Sequence, residues 1–361
     1  MLPSSATETL RDPWKLAGRT IAGRYDVRAI VAQGGAGRVY KALDRTTQCL
    51  VALKVLRPDA GADDAEPVSP SEEFERERAL LTRVDHPAIV RYFDHGEVEI
   101  GHGRRTLFLA LEWVEGVTLD QHLAALGPLP PAQALALLRP LLDALAAAHA
   151  AGVAHRDLKP GNVMVEGGVA APRLRLLDFG IAKLMRPDEA LGENTALTLS
   201  RNPAFSPAYA APEQMSGAHT GPWTDVHAAA LLLTHAIVGR APFQSTEFAA
   251  LLRECISLDR PTPARHGVDV GALEPVLAKA LALRPQNRYA NAQEFCAALD
   301  EALGSAAPAS APEPAPAPAP ASAPEPEPAS APEGTRFPLE IALGVGVGAV
   351  LAVAAAVLLF R

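Results

Sequence analysis

The sequence predicts an α+β fold of two lobes, a small β-rich lobe followed by a larger helical one. Three observations carry this expectation. Between residues 25 and 56 apolar side chains fall in short runs broken by Gly and charged turns. From Pro130 onward they recur at helical spacing instead. The 361 residues are 48% hydrophobic and 20% charged, a mix that can bury a sizeable core and that excludes global disorder and a coiled-coil rod. With a formal net charge of -8, no basic surplus draws the chain toward nucleic acid.

The elements follow in order. Residues 1–22 are polar and turn-rich and read as a flexible N-terminal arm, and residues 23–303 read as globular. Strands are expected over 25–31, 39–42, 50–56 and 107–113, and a helix over 72–84. Helices are expected over 132–150, with a kink at Pro140, and over 221–238, 273–283 and 292–303. The small lobe is expected over 23–111, a connecting hinge over 112–116 and the helical lobe over 117–303. Residues 304–338 form a linker in which ten prolines lie between Ser305 and Gly334. Such a tract cannot pack a core and favours extended polyproline conformations, reaching about 90 Å when fully drawn out.

Residues 341–360 contain no charge, and as a helix they would span about 30 Å, the hydrocarbon thickness of a bilayer. A transmembrane helix is therefore expected over 339–360, with only Arg361 beyond it and so no external domain. Gly344 and Gly348 have a spacing that lets helices approach closely, although an Ala/Gly-rich segment produces it readily by chance. Arg336 and Arg361 flank the segment and leave its orientation undecided. Cys49, Cys255 and Cys296 are scattered, which argues against a disulfide framework. The histidines show no zinc spacing.

The chemistry-bearing motifs begin with Val31-Ala-Gln-Gly-Gly-Ala-Gly-Arg-Val39, a Gly-rich turn between strands whose backbone N–H groups can approach phosphate oxygens. A plain hairpin would look much the same. In Val51-Ala-Leu-Lys54 a lysine sits within an apolar strand, and burying it requires an anionic partner. Glu77 is a candidate, with Glu72, Glu73 and Glu75 competing. The decisive motif is His155-Arg-Asp-Leu-Lys-Pro-Gly-Asn162, followed after an apolar run by Asp178-Phe-Gly180. Asn162 and Asp178 are oxygen donors able to share a hard cation such as Mg²⁺, leaving Asp157 to orient a hydroxyl and accept its proton.

In these motifs, and in His86-Pro-Ala-Ile-Val90 and Ala211-Pro-Glu213, the sequence resembles the eukaryotic-like (Hanks-type) protein kinases in their bacterial Ser/Thr branch. The resemblance covers residues 23–303 and implies the two-lobed protein kinase fold. It implies ATP as cosubstrate with Mg²⁺ or Mn²⁺, and protein substrates with Ser/Thr acceptors. Catalytic roles would fall to Lys54 on the α- and β-phosphates, Glu77 holding Lys54, Asp157 as base and Lys159 on the transferring phosphoryl group. Asn162 and Asp178 would hold the metal. Val31, Ala32, Gln33, Gly34, Gly35, Ala36 and Gly37 would form the phosphate loop, and Val39, Ala52 and Met164 would sandwich the base with Val31. Leu111 would be the gatekeeper, and Glu112-Trp113-Val114 the hinge whose backbone bonds adenine. Thr195, Thr198, Ser200 and Ser206 are the activation-segment hydroxyls to watch, with Ser206 nearer to a structural role beside Asp157 and Lys159. A phosphate on that segment would pair with Arg156. Glu213 and Arg288 would form an ion pair, and Asp225 would brace the catalytic loop.

The sequence departs from the family pattern at three places. Ala32 replaces the first Gly of the phosphate loop, which would cost about 1 kcal/mol if the position needs a positive φ. Phe205 and Ala230 also replace glycines. A membrane-anchored kinase that uses ATP would face the cytoplasm, and the long tether would let neighbours phosphorylate one another, as a homodimer or through transient self-association. The rival expectation is a pseudokinase that binds nucleotide as a membrane-anchored scaffold.

Overall fold

The computed structural model describes residues 10–34, 37–57, 84–169, 171–177, 207–245 and 247–305. The chain divides into two units, 1–308 and 309–361, and the second lies outside the described residues. So do residues 72–83 of the expected helix 72–84, the apolar segment 341–360 and nearly all of the linker, while Val84 is described and lies outside any helix. Among the described residues no helix is long and apolar enough to cross a membrane.

Among the described residues the small lobe is one antiparallel sheet. Its strands are β1 (Thr20–Ile21), β2 (Tyr25–Gly34), β3 (Gly37–Asp44), β4 (Leu50–Leu56), β5 (Tyr92–Ile100) and β6 (Arg104–Glu112), in the order β1-β2-β3-β4-β6-β5. Strand periodicity assigns the faces. Tyr40, Ala42, Val51, Leu53, Val55 and Ala110 point to one side, where they form a core with Leu16, Tyr25 and Phe108. Val39, Lys54 and Leu109 pair across three strands on the other side, as do Lys41, Ala52 and Leu111. That second face looks toward the helical lobe, since Leu109 and Leu111 belong to the larger core.

Residues 10–22 are not the loose arm expected from composition. Leu16 is fully buried, β1 pairs with β2, and Gly18 N–H donates to the Val27 carbonyl at 2.9 Å. The polar, turn-rich character that suggested disorder reflects a segment that buries one side chain in several and meets its hydrogen bonds on the sheet. Arg24 secures the same edge, donating from Nε and Nη2 to the Asp44 carboxylate at 2.8 and 2.7 Å. That bidentate pair holds the Asp44 carboxyl well below the usual carboxylate range.

The helical lobe opens with β7 (Val117–Thr118) and α1 (Leu119–Leu126), capped reciprocally by Thr118 and Gln121. Helix α2 (Pro131–Ala150) runs continuously through Pro140. Pro140 lies on the exposed face, as does Ala136, whose carbonyl loses its i+4 donor and can turn to water. Leu138, Leu141, Leu142, Leu145 and Ala148 give α2 its buried stripe. Strands β8 (Val163–Glu166) and β9 (Arg173–Leu176) join β7 in a small sheet. Among the described residues the further α-helices are α3 (Pro212–Met215), α4 (Pro222–Val238), α5 (Phe248–Ile256), α6 (Leu273–Ala280) and α7 (Ala292–Ser305). Helix α4 is buried from Thr224 to Ile237 and is the centre of the lobe, which is why it is apolar nearly all round. Ala230 is fully buried there, where its methyl favours helix over the Gly it replaces. Helix α7 continues to Ser305, two residues past the expected boundary, within the usual fraying of helix ends.

Candidate functional site: a loop between two lobes

The loop from Val153 to Asn162 joins α2 to β8 and carries Asp157, Lys159 and Asn162. Asn162 Nδ2 donates to the Asp157 carbonyl at 2.7 Å and to Asp157 Oδ2 at 2.9 Å. Lys159 Nζ lies 3.1 Å from the same Oδ2. One carboxylate thus faces an ammonium and an amide, in a cluster that keeps some solvent access, with side chains 20% exposed for Lys159 and 28% for Asp157.

The backbone beneath is strained and held. Arg156 adopts φ +61°, a left-handed conformation that costs a non-Gly residue about 1–3 kcal/mol. Its N–H donates to Asp225 Oδ1 at 2.7 Å, and its carbonyl accepts from Gln214 Nε2 at 2.8 Å. Asp225, fully buried on α4, also accepts from the His155 N–H at 2.6 Å and pairs with His149 Nε2 at 2.9 Å. A hydrogen bond to a charged group contributes about 1.5–3 kcal/mol, so these contacts together outweigh the strain. His149 Nδ1 accepts from the Ala292 N–H at 3.1 Å, which assigns the Nε2–H tautomer of a neutral ring.

His155 links this loop to the next. Its Nδ1 accepts from the Asp157 N–H at 3.2 Å, so Nε2 carries the proton and donates to the Leu177 carbonyl at 2.7 Å. The Leu177 N–H in turn donates to the Asn162 carbonyl at 2.8 Å. The residue preceding Asp178 is therefore fixed to the 153–162 loop through both of its backbone groups. Asp178 itself, Glu77, Thr195, Thr198, Ser200 and Ser206 lie outside the described residues, as do Gly35 and Ala36.

Across the cleft, Lys54 occupies the row with Val39 and Leu109, while Ala52 and Leu111 form the adjacent row. Met164 on β8 packs against the same large core as Ala52 and belongs to the lower lobe. Glu112 closes β6, its N–H donating to the Arg91 carbonyl at 2.9 Å. Burial pushes its carboxyl up. The bond from Arg175 Nη2 at 2.6 Å and the contacts with Arg91 outweigh burial and leave it below its ordinary value. Val114, two residues on, is buried and makes no backbone hydrogen bond among the described residues.

In the Gly-rich hairpin, Ala32 pairs with Val39, Gln33 with Arg38 and Gly34 with Gly37. Ala32 has an ordinary strand conformation, so the penalty expected for a positive φ does not arise. Val31 is 38% exposed at the edge of the cleft. Gly37 is the position that requires glycine. Its φ is +153°, and a Cβ would lie 2.2 Å from the Val55 carbonyl oxygen. Gly37→Ala is expected to lower stability by about 1–3 kcal/mol, as read by thermal unfolding, and a variant indistinguishable from wild type would refute the close approach.

Below the site, Arg288 forks onto Glu213 with Nη1–Oε1 at 2.7 Å and Nη2–Oε2 at 2.9 Å, both side chains buried. The family resemblance implied this pair and the bracing role of Asp225; reading the residues by themselves did not. Sequence reasoning missed Gln214 and His149, whose only signals are a polar residue following Glu213 and a histidine one residue before the end of α2.

The family model for the protein kinase domain matches residues 25–298. The chain is 34% identical over 292 residues to serine/threonine-protein kinase pkn3 of Myxococcus xanthus, covering 80% of this chain and 51% of that protein. It is 31% identical over 281 residues to serine/threonine-protein kinase PrkC of Bacillus subtilis, covering 78% and 40%. The chain thus spans about half or less of the length of these curated relatives. The crystal structure of the Mycobacterium tuberculosis PknI kinase domain is similar at a TM-score of 0.58 and 30% identity, covering 79% of this chain and 98% of that one. A β-rich lobe and a helical lobe enclosing an Asp–Lys–Asn loop, matched by that family over most of the globular region, place this chain in the bacterial Hanks-type Ser/Thr branch of the protein kinase domain family.

Proposed function

We propose that the chain is an ATP-dependent Ser/Thr protein kinase that transfers the γ-phosphoryl group to protein hydroxyls, autophosphorylates on its activation segment and is tethered to a membrane through 339–360. The observation that supports this most is the Asp157 carboxylate held between Asn162 and Lys159 on a strained, fully braced loop. Asp157 orients the acceptor hydroxyl and takes its proton as the oxygen attacks the γ-phosphorus. The bond to the bridging oxygen breaks, and ADP leaves. Lys159 places positive charge where the equatorial oxygens gain negative charge, and Lys54 draws the α- and β-phosphates to the roof of the cleft. Glu77 is assigned to hold Lys54.

The donor set suits a hard divalent cation. The amide nitrogen of Asn162 is turned to Asp157, so its amide oxygen is left for a ligand. Asn162 and Asp178 would hold Mg²⁺, which when bound neutralises phosphate charge. The apolar surface of Val39, Ala52, Leu111 and Met164 suits a purine, and Val114 offers a backbone donor and acceptor at its edge.

The test uses the full chain in membranes with Mg²⁺ and labelled ATP, and Lys54→Met as control. Label on Ser/Thr of the chain and of added protein substrate, lost in the control, is expected. Wild-type chain that binds ATP yet transfers no label would establish the scaffold instead. Recovery in the soluble fraction, unchanged by deletion of 336–361, would overturn the tether.

A further inference from the structure

The segment that precedes the first long strand forms a clamp on the outer face of the phosphate-side hairpin. Asp12 sits at a turn in which the Lys15 N–H donates to the Asp12 carbonyl at 3.3 Å, and Lys15 takes φ +49°. The Asp12 carboxylate is shared. Oδ2 accepts from the Ala17 N–H at 2.9 Å, and Oδ1 accepts from the Tyr40 hydroxyl at 2.8 Å. Trp14 lies against Arg38, with the guanidinium carbon 3.9 Å from the ring centroid. Leu16, with no exposed surface, completes the contact by entering the core that holds Tyr40, Val51 and Val55.

The anchored positions matter because of where they fall in β3. Arg38 and Tyr40 point to the outer face, and the residue between them, Val39, points into the cleft opposite Lys54. Immediately before Arg38 is Gly37, pressed against the Val55 carbonyl. In a strand successive side chains alternate, so fixing residues 38 and 40 from above fixes the rotation of the strand and hence the aim of residue 39 below. Arg38 has few other attachments, for its Nε is buried and finds no hydrogen-bond partner among the described residues. A guanidinium in that state depends on the ring face that covers it.

We propose that residues 12–16 are a working part of the nucleotide site: Asp12 and Trp14, as positioning residues, hold Tyr40 and Arg38 and thereby set the Gly-rich hairpin over the phosphates. Displacing this segment loosens the roof of the phosphate site without touching the adenine pocket. This rests on the ATP-dependent reading above. It makes the first residues of the lobe a point at which a partner or a covalent modification can adjust nucleotide affinity from outside the cleft.

The experiment compares ATP and adenosine binding to the full chain with Mg²⁺, for wild type, Trp14→Ala, Trp14→Phe and Arg38→Met. Adenosine lacks the phosphates and reports the adenine pocket alone. For Trp14→Ala and Arg38→Met the expected result is a loss of ATP affinity of about three- to ten-fold with adenosine affinity unchanged. Trp14→Phe is expected to retain wild-type affinity within about two-fold, since a ring face remains. Equal ATP affinity in all variants, or parallel loss of ATP and adenosine, would overturn the proposal and reduce the segment to a stability element. If Trp14→Ala fails to fold, Arg38→Met keeps the ring and the arm's apolar contact and decides alone. A wild-type chain that binds neither ligand would sink the kinase reading, a result distinct from any difference among the variants.

Discussion

Replacing Asp157 with Asn is expected to lower the turnover of phosphoryl transfer by about 10²- to 10⁴-fold while leaving nucleotide affinity and thermal stability near those of the wild type. The substitution preserves size and hydrogen-bonding shape, so Asn162 can still donate to position 157. It removes the carboxylate that, in the mechanism proposed, accepts the acceptor's proton, and general-base catalysis typically contributes about 10²–10⁴ in rate. That range corresponds to about 3–5 kcal/mol of transition-state stabilisation. The ion pair with Lys159 is partly solvent-exposed and contributes about 0–1 kcal/mol to folding, which is why stability should barely move. Single-turnover rates with saturating ATP, alongside an unfolding scan, make the measurement. A variant within ten-fold of wild type would remove Asp157 from the chemistry.

The second large effect concerns folding. Arg288→Ala is expected to destabilise the helical lobe by about 3–5 kcal/mol, because removing one partner of a buried pair strands the other charge. Glu213 would keep one charge-neutral donor among the described residues, Thr224 Oγ1 at 2.9 Å. The arginine also serves three backbone carbonyls, donating to Ala282 at 2.7 Å, Leu283 at 3.1 Å and Trp223 at 3.3 Å. For a domain of this size the loss translates into a fall in Tm of roughly 6–20 °C. The damage should reach catalysis as well, since Glu213 adjoins Gln214, which holds the Arg156 carbonyl. The double variant Glu213→Leu/Arg288→Met should lie closer to wild type than Arg288→Ala, because no charge remains unpaired. If the single variant lost less than about 1 kcal/mol by denaturant titration, the buried pair would not be the support described here.

Much of the fold was legible because its signals are local. Strand β4 was read at its observed limits, and α4 to within a residue of its start, from apolar spacing alone. Strand β5 was missed because Tyr92–Ile100 carries Asp94, His95 and two glutamates, and its pairing with β6 rather than its composition makes it a strand. The arm was misjudged for a related reason. One buried leucine and one tryptophan in a polar stretch leave no periodicity to detect, and Arg38 against Trp14 and Tyr40 in the core with Leu16 come more than twenty residues later.

What the sequence determined unaided is the inventory and its order: a Gly-rich turn, a lysine on a strand and an Asp–Lys–Asn loop. Each of these motifs is fixed by covalent neighbours, so its chemistry survives being read one residue at a time; the pairing of Glu213 with Arg288, 75 positions apart, came only with the family resemblance. Only the tertiary structure decided how those groups are held. Arg156 is pinned in a left-handed conformation by Asp225 and Gln214, 69 and 58 positions away in the chain. His155 is fastened to Leu177, and the outer face of β3 to Asp12 and Trp14. Hydrogen bonds and ring contacts depend on distance in space rather than along the chain, and folding alone sets that distance.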